Sequence, residues 1–409
     1  MTQGDSRQNL RLIRWLTYMM FMMFAMTTDA VGVIIPEIIE EFRLGLTQAG
    51  AFHYATMISI ALSGVLLGFL ADRIGRKRTI LLGLALFGIA CFMFAVGNGF
   101  TYFLALLTMS GAAIGIFKTG ALALIGDISS STREHTSTMN TVEGFFGVGA
   151  IIGPFIVSAL LTAGLSWKYL YLIAGAACGV LMLMAAFAQY PETKKSNEAP
   201  ASLGRSFKMM GNPYALGFSL AIALYVATEV AIYVWMPTYL KTYDGSYAWL
   251  AAYALTVFFV LRAGGRFMGV WVLERFSWTT VMAVFSGLIF ACYIGSILFG
   301  VGAAVFLLPL SGLFMSMIYP TLNSKGISCF PKSEHGTVAG VILFFTAVAA
   351  AVGPLLMGAV GDFFGDVRYG FMLAMGFAGL LFIGMLYNWR KNPAQAVHER
   401  VNSSEYAGD

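Results

Sequence analysis

Twelve apolar stretches follow one another along this chain, at about 12–37, 48–70, 79–98, 101–126, 136–163, 168–190, 213–239, 247–271, 278–300, 302–324, 337–361 and 369–389, with short charged islands between them. Roughly twenty residues at 1.5 Å rise cross a hydrocarbon core of about 30 Å, so each stretch is long enough to span a bilayer. Lipid offers the backbone no hydrogen-bond partner, which predicts helices. The alternation of a transmembrane barrel is absent. Composition agrees: 58% of the 409 residues are hydrophobic and 11% charged, against roughly 25% charged in soluble domains. The first stretch is too long for a cleavable signal and lacks a small-residue cleavage site, so it is expected to stay as a span.

Charge sets orientation. Loops on one side hold Arg7, Arg11 and Arg14, then Arg73, Arg76, Lys77 and Arg78, then Lys194, Lys195, Arg205 and Lys208, and finally Arg390 and Lys391. Loops on the other side hold scattered singles such as Arg43, Lys168, Lys241 and Arg368. The positive-inside rule places both termini in the cytoplasm, and an even span number agrees. The net charge of +5 belongs to these loops; no basic run has a soluble domain behind it, so nucleic acid is not an expected partner. Cys91, Cys178, Cys292 and Cys329 lie in or beside apolar stretches without disulfide or metal-ligand spacing, and are read as packing residues. No metal, cofactor or catalytic constellation is expected.

The chain repeats itself. Thr28-Asp29 is matched by Thr228-Glu229, Glu134-His135 by Glu334-His335, Gly153-Pro154 by Gly353-Pro354, and Trp167-Lys168-Tyr169 by Val367-Arg368-Tyr369, each 200 residues on. One offset held at four places indicates duplication, with six spans per half. The polar segment PETKKSNEAPASLGRSFKMMGN reads as a linker. The expected organisation is a bundle over 1–190, a cytoplasmic linker over 191–212, a second bundle over 213–390 and a cytoplasmic tail over 391–409.

Between the second and third stretches stands Gly68-Phe-Leu-Ala-Asp72-Arg73-Ile-Gly75-Arg76-Lys77-Arg78. Gly75 permits the tight turn that two antiparallel helices need. Asp72 suits a basic partner or the positive end of a helix dipole. This segment resembles the signature of the major facilitator superfamily, Gly-x-x-x-Asp-Arg-x-Gly-Arg-Arg/Lys, with a worn copy at Gly265-Arg266, Gly269 and Leu273-Glu274-Arg275. The resemblance implies an all-α membrane protein of twelve transmembrane helices in two pseudo-symmetric six-helix bundles. It also implies that Gly68, Asp72, Arg73, Gly75, Arg76 and Lys77 form a conformational latch. The competing reading is a plain positive-inside anchor.

Three stretches resemble the fucose–glucose–galactose symporter branch: Leu224–Val230 running on to Trp235-Met-Pro237-Thr-Tyr239, then Asn140-Thr-Val-Glu143-Gly-Phe-Phe146-Gly147-Val-Gly149, and Tyr319-Pro320-Thr321. The resemblance implies a small-molecule sugar substrate and a co-transported cation, a proton or sodium. The chain departs from the branch at Lys118, where an acidic residue is usual, and at Glu143, where a neutral or His side chain is usual. An anionic sugar or small organic anion is therefore an alternative substrate. Gly149-Ala-Ile-Ile-Gly153-Pro154 resembles an element of drug-efflux antiporters, though a close-packed, bendable helix explains it equally.

Ionisable groups in the hydrocarbon region cost at least about 2.5–3.5 kcal/mol each, so each needs a reason. Asp29 and Glu229 hold equivalent places in the first and seventh stretches and are assigned to proton coupling, Glu229 also to substrate. The alternative for each is a structural hydrogen bond. Lys118 and Glu143 fall at similar depth on neighbouring stretches and are expected to form an ion pair, structural or switchable. Arg262 and Arg266 are expected to snorkel to the cytoplasmic face. Tyr225, Trp235, Asn140 and Asn323 complete the candidate substrate site, since sugars stack on aromatic faces and take bidentate bonds from amides. The resulting expectation is a monomeric symporter of the inner membrane that couples a cation, a proton first, to inward movement of a hexose or related small polar solute by alternating access. A proton-driven efflux antiporter is the rival.

Overall fold

The computed structural model describes residues 3–67, 70–129, 132–191, 209–331 and 334–405. Described residues are almost wholly helical. In chain order the helices are α1 (Gln3–Thr28), α2 (Val31–Phe42), α3 (Leu46–Ala49), α4 (Ala51–Leu66), α5 (Leu70–Arg73), α6 (Arg76–Met93), α7 (Phe100–Ile128), α8 (Thr132–Thr162) and α9 (Tyr169–Phe187). They continue with α10 (Pro213–Leu240), α11 (Ala248–Ala252), α12 (Ala254–Arg275), α13 (Trp278–Leu298), α14 (Val301–Met315), α15 (Ile318–Ile327), α16 (His335–Phe364), α17 (Val367–Lys391) and α18 (Gln395–Glu405).

Ten helical segments among the described residues are long and apolar enough to cross a bilayer. The expected spans at 48–70 and 79–98 appear as α4 and α6. The first has 16 residues and stops just before residues outside the description. The second has 18 and opens on Arg76, Lys77 and Arg78. Both are helices; by length and composition neither counts as a span by itself. The linker expected over 191–212 lies mostly outside the described residues.

The chain divides into two compact units. Unit 1 comprises Met1–Leu44 and Ala49–Asn197; unit 2 comprises Gly45–Gln48 and Glu198–Asp409.

In unit 1, Phe24 sits between Phe87 and Phe117, with ring centroids 4.7 and 4.6 Å away, and all three rings are fully buried. Small residues let helices approach further out. A Cβ on Gly149 or Gly153 of α8 would fall 2.1 or 2.0 Å from the carbonyl oxygens of Met22 and Met26 in α1. Likewise α7 meets α4 at Gly111 and Gly115, beside the Thr56 and Ile60 carbonyls. The Gly149–Pro154 element is thus first a close-packing device.

The basic island after α5 also serves unit 1. Gly75 has φ +90°, a conformation that favours glycine, and it turns the chain into α6. Arg76 is buried and its Nε lies 2.9 Å from Oδ2 of Asp127 near the end of α7. Lys77 Nζ donates to the carbonyls of Ala186 and Ala188 at 2.7 and 2.8 Å, closing the negative C-terminal end of α9. Arg76→Ala is expected to strand Asp127 and to cost about 2 kcal/mol. A thermal melt of the purified variant in detergent measures it, and Asp127→Asn in the same background should recover part of the loss.

In unit 2 the sequence counterpart of Lys168 is Arg368. Arg368 Nη2 donates to Ile297 O at 2.7 Å, near the end of α13, while Lys168 Nζ donates to Asn98 Oδ1 at 3.3 Å. The two repeat counterparts thus each reach an acceptor at a similar place, Asn98 by its side chain and Ile297 by its backbone carbonyl. The carboxylate of Asp362 accepts from the backbone N–H groups of Leu46 and Thr47, at 2.6 and 2.8 Å.

Candidate functional site

Broken helices place the candidate residues. In unit 1 the first span is interrupted at Asp29 and Ala30, between α1 and α2. Thr28 Oγ1 donates to Asp29 Oδ2 at 2.9 Å, and Asp29 is half-buried. Glu229, its repeat partner, lies instead inside the unbroken α10 and is buried. Equivalent in sequence, the two carboxylates differ in backbone.

In unit 2 the break falls between α14 and α15, at Ser316 and Met317. Pro320 has no N–H for the Ser316 carbonyl, so a continuous helix is disfavoured there. Tyr225, one turn before Glu229 on α10, has its hydroxyl 2.6 Å from Glu229 Oε1 and 3.0 Å from the Met315 carbonyl at the end of α14. From α12, Arg262 Nε lies 2.7 Å from the same Oε1, as an ion pair whose N–H is not aimed for a directed bond. The expectation that Arg262 snorkels to the cytoplasmic face is overturned: its rotation on α12 turns it to Glu229. Arg266, one turn on, is exposed. The Tyr319 ring stands 6.4 Å from that of Tyr225. Tyr293 of α13 donates to the Thr228 carbonyl at 2.6 Å, fixing α10 beside the pair.

The expected Lys118–Glu143 ion pair is absent among the described residues. Lys118 is half-buried on α7, and its Nζ lies 5.3 Å from the centroid of Phe146. Phe146 is three residues from Glu143 on the same face of α8, and its ring provides a cation–π contact where a carboxylate was expected. Glu143 is exposed, yet its charge and that of Asp29 both act on the Lys118 ammonium.

The remaining candidates separate. Trp235 is fully buried and its Nε1 donates to Pro354 O at 3.0 Å, so here it packs α10 against α16. Asn323 is half-buried on α15. Asn140 has its backbone in α8, but its side chain lies outside the described residues, as do Gly68 and the side chain of Asp72. Arg73 is exposed. Structure thus gathers Tyr225 and Glu229 with Arg262 in unit 2, and Lys118 with Asp29 and Glu143 in unit 1. Arg262 was missed as a site residue. Its sequence signal was an arginine four residues before another, too deep in an apolar run to need only a route to water.

The profile of the Major Facilitator Superfamily matches residues 17–354, and the chain belongs to this family. It is a multi-pass membrane transporter. Among curated proteins it is 23% identical over 384 residues to the L-fucose-proton symporter of Escherichia coli (strain K12), covering 85% of this chain and 86% of that one. It is 25% identical over 377 residues to the quinolone resistance protein NorA of Staphylococcus aureus (strain MRSA252), covering 86% and 92%. Among solved structures, the bacterial homolog of the human lysosomal transporter Spinster aligns with a TM-score of 0.76 at 14% identity, over 98% of this chain and 99% of that one. The nucleoside transporter NupG aligns with a TM-score of 0.74 at 13% identity, over 93% and 98%.

Proposed function

We propose that this protein is a proton-coupled symporter that carries a hexose or related small polar solute into the cell by alternating access. The observation that carries the reading is the cluster of Glu229, Arg262 and Tyr225 inside unit 2. A buried carboxylate held by a cation and a phenol is poorly explained as packing, since apolar residues of like volume would be as stable or more so. Ionisable groups within membrane spans mark ion and substrate pathways. Asp29, half-buried at a helix break, is the second proton-handling candidate. The fucose symporter relative supports symport, and sodium in place of the proton is the nearest variant. We place the protein in the inner membrane as a monomer, with both termini cytoplasmic. Asp72 and the basic island act as a latch in one state of the cycle.

Asp29→Asn is expected to abolish uphill accumulation in proteoliposomes under an imposed pH gradient while sparing counterflow exchange, because exchange moves no net proton. Accumulation that survives places coupling on Glu229 or Glu143.

The second reading, proton-driven efflux of an amphipathic compound, is favoured by the similarity to NorA. Solute added to cells expressing the protein separates the two. A symporter takes up protons with the solute and the medium turns alkaline; an antiporter moves protons the other way.

A further inference from the structure

We infer that α18 is a releasable strap: docked as it stands, it pins the end of the half-helix α15, and on release α15 pivots at Ser316 and Met317 and transport runs faster.

The sequence of α18, QAVHERVNSSE, is too short and too polar to cross a bilayer, and eleven residues hold a helix only weakly in water. Unit 2 steadies it. Asn392, left-handed at φ +38°, turns the chain out of α17, and its Nδ2 donates to Gln395 Oε1 at 3.1 Å. Ala394 and Val397 are then buried, while Gln395, Glu399 and Arg400 stay exposed. So small an apolar face gives a docking that can be undone.

The point of attachment is the end of α15. His398 Nε2 lies 2.9 Å from the carbonyl oxygen of Lys325, in the last turn of α15. A carbonyl can only accept, so Nε2 carries the hydrogen. Cys329 Sγ donates to the same oxygen at 3.4 Å and lies 3.2 Å from Nε2. The His398 ring also stands edge-on to Trp278 at the start of α13, with centroids 6.3 Å apart, and Trp278 is 6.3 Å from Phe218 of α10. That turn of α15 meets Phe218 too: a Cβ on Gly326 would fall 3.0 Å from the Phe218 Cβ. One histidine of α18 thus ties α15 to α13 beside α10.

The tie matters because α15 is half of a broken span. Its other end is the break at Ser316 and Met317, where Pro320 withholds a hydrogen bond. A ten-residue segment joined through such a break pivots as a body once its free end is let go. It carries Asn323 and Tyr319, whose ring is 6.4 Å from that of Tyr225. A grip at 325–329 therefore sets how freely these candidate residues move.

Cys329 is the gauge. It is 5% exposed, and burial pushes its thiol up to about 12, with the Lys325 ammonium drawing it partly back. Docked α18 therefore leaves little reactive thiolate at neutral pH. Cys91, Cys178 and Cys292 are buried within helices of the bundles and react only if the fold itself opens.

The full-length protein is compared with a chain stopped after Asn392 and with Val397→Asp/His398→Ala, which keeps the chain whole. Alkylation by N-ethylmaleimide, read by mass spectrometry at each cysteine, is expected to be at least about tenfold faster at Cys329 in both variants and unchanged at the other three. Hydrogen–deuterium exchange over 318–330 should quicken by a similar factor, with α10 and α13 unchanged. A Cys329 as slow in both variants as in the wild type, or an α15 whose exchange does not follow, overturns the inference. Faster labelling of all four cysteines in both variants also overturns it, since α18 would then hold the whole fold and not α15. The brake is read as fucose entry into proteoliposomes under an inward proton gradient, and so rests on the symport reading above. Entry is expected to rise about threefold in both variants, and an unchanged or slower rate overturns the inference. If wild type and variants alike take up no fucose, the sugar reading fails, and labelling and exchange still decide the strap.

Discussion

Arg262→Ala is expected to lower the stability of the protein by about 3–5 kcal/mol, the loss that follows when one partner of a buried ion pair is removed. Among the described residues Glu229 would keep the Tyr225 hydroxyl alone, and a carboxylate at 8% side-chain exposure has little water to replace the guanidinium. Glu229→Gln should cost less, because the amide still meets Tyr225 and Arg262 at 23% exposure has more access to solvent. The double variant Arg262→Ala/Glu229→Gln removes both charges and should recover much of the loss, so the coupling energy of the cycle isolates the pair. Thermal melts of the four proteins in one detergent measure it. Additive losses would mean that the 2.7 Å approach contributes no interaction, and both side chains would then be free of each other in solution.

The pattern of legibility follows from what each sequence signal measures. Apolar length reads the path through the bilayer, so the expected spans are helical over their described residues, the first and the tenth in two pieces, although α4 and α6 are shorter or more charged at one end than a span requires by itself. The 200-residue offset reads a duplication, and its counterparts Lys168 and Arg368 make similar but not identical contacts. It does not read backbone: Asp29 sits at a helix break while Glu229 lies within α10. Burial cost singled out Glu229 as a carboxylate that needs a partner, and Tyr225 and Arg262 meet it. Naming the partner requires the rotation of α12 about its own axis, which depth along the chain does not give. Arg262 was therefore sent to the membrane surface, and Lys118 was paired with Glu143 although Phe146 occupies the facing position. In both cases azimuth was missing.

Azimuth also decides which glycines matter, and α8 provides the sharpest contrast. Four glycines lie along it at 144, 147, 149 and 153, and sequence alone treats them as equals. A Cβ on Gly144 or Gly147 meets nothing within 4 Å. On Gly149 it meets the Met22 carbonyl oxygen at 2.1 Å and the Ala25 Cβ at 2.9 Å; on Gly153 it meets the Met26 carbonyl at 2.0 Å. The obstacle in each case is backbone of α1, which cannot rotate aside as a long side chain can, so the two helices must separate. Gly149→Val and Gly153→Val are each expected to cost about 3 kcal/mol or more, at the upper end of overpacking losses. Gly144→Ala and Gly147→Ala should be neutral or gain up to about 1 kcal/mol from helix propensity. Gly353→Ala, the repeat counterpart, meets Ala227 at 3.1 Å and should fall between the two groups. Melting temperatures across the series check the order. A Gly149→Ala protein that melts normally yet fails to transport would place this element in the working cycle, as the efflux resemblance implies. A protein that loses stability and transport together leaves it as the contact that holds α8 against α1.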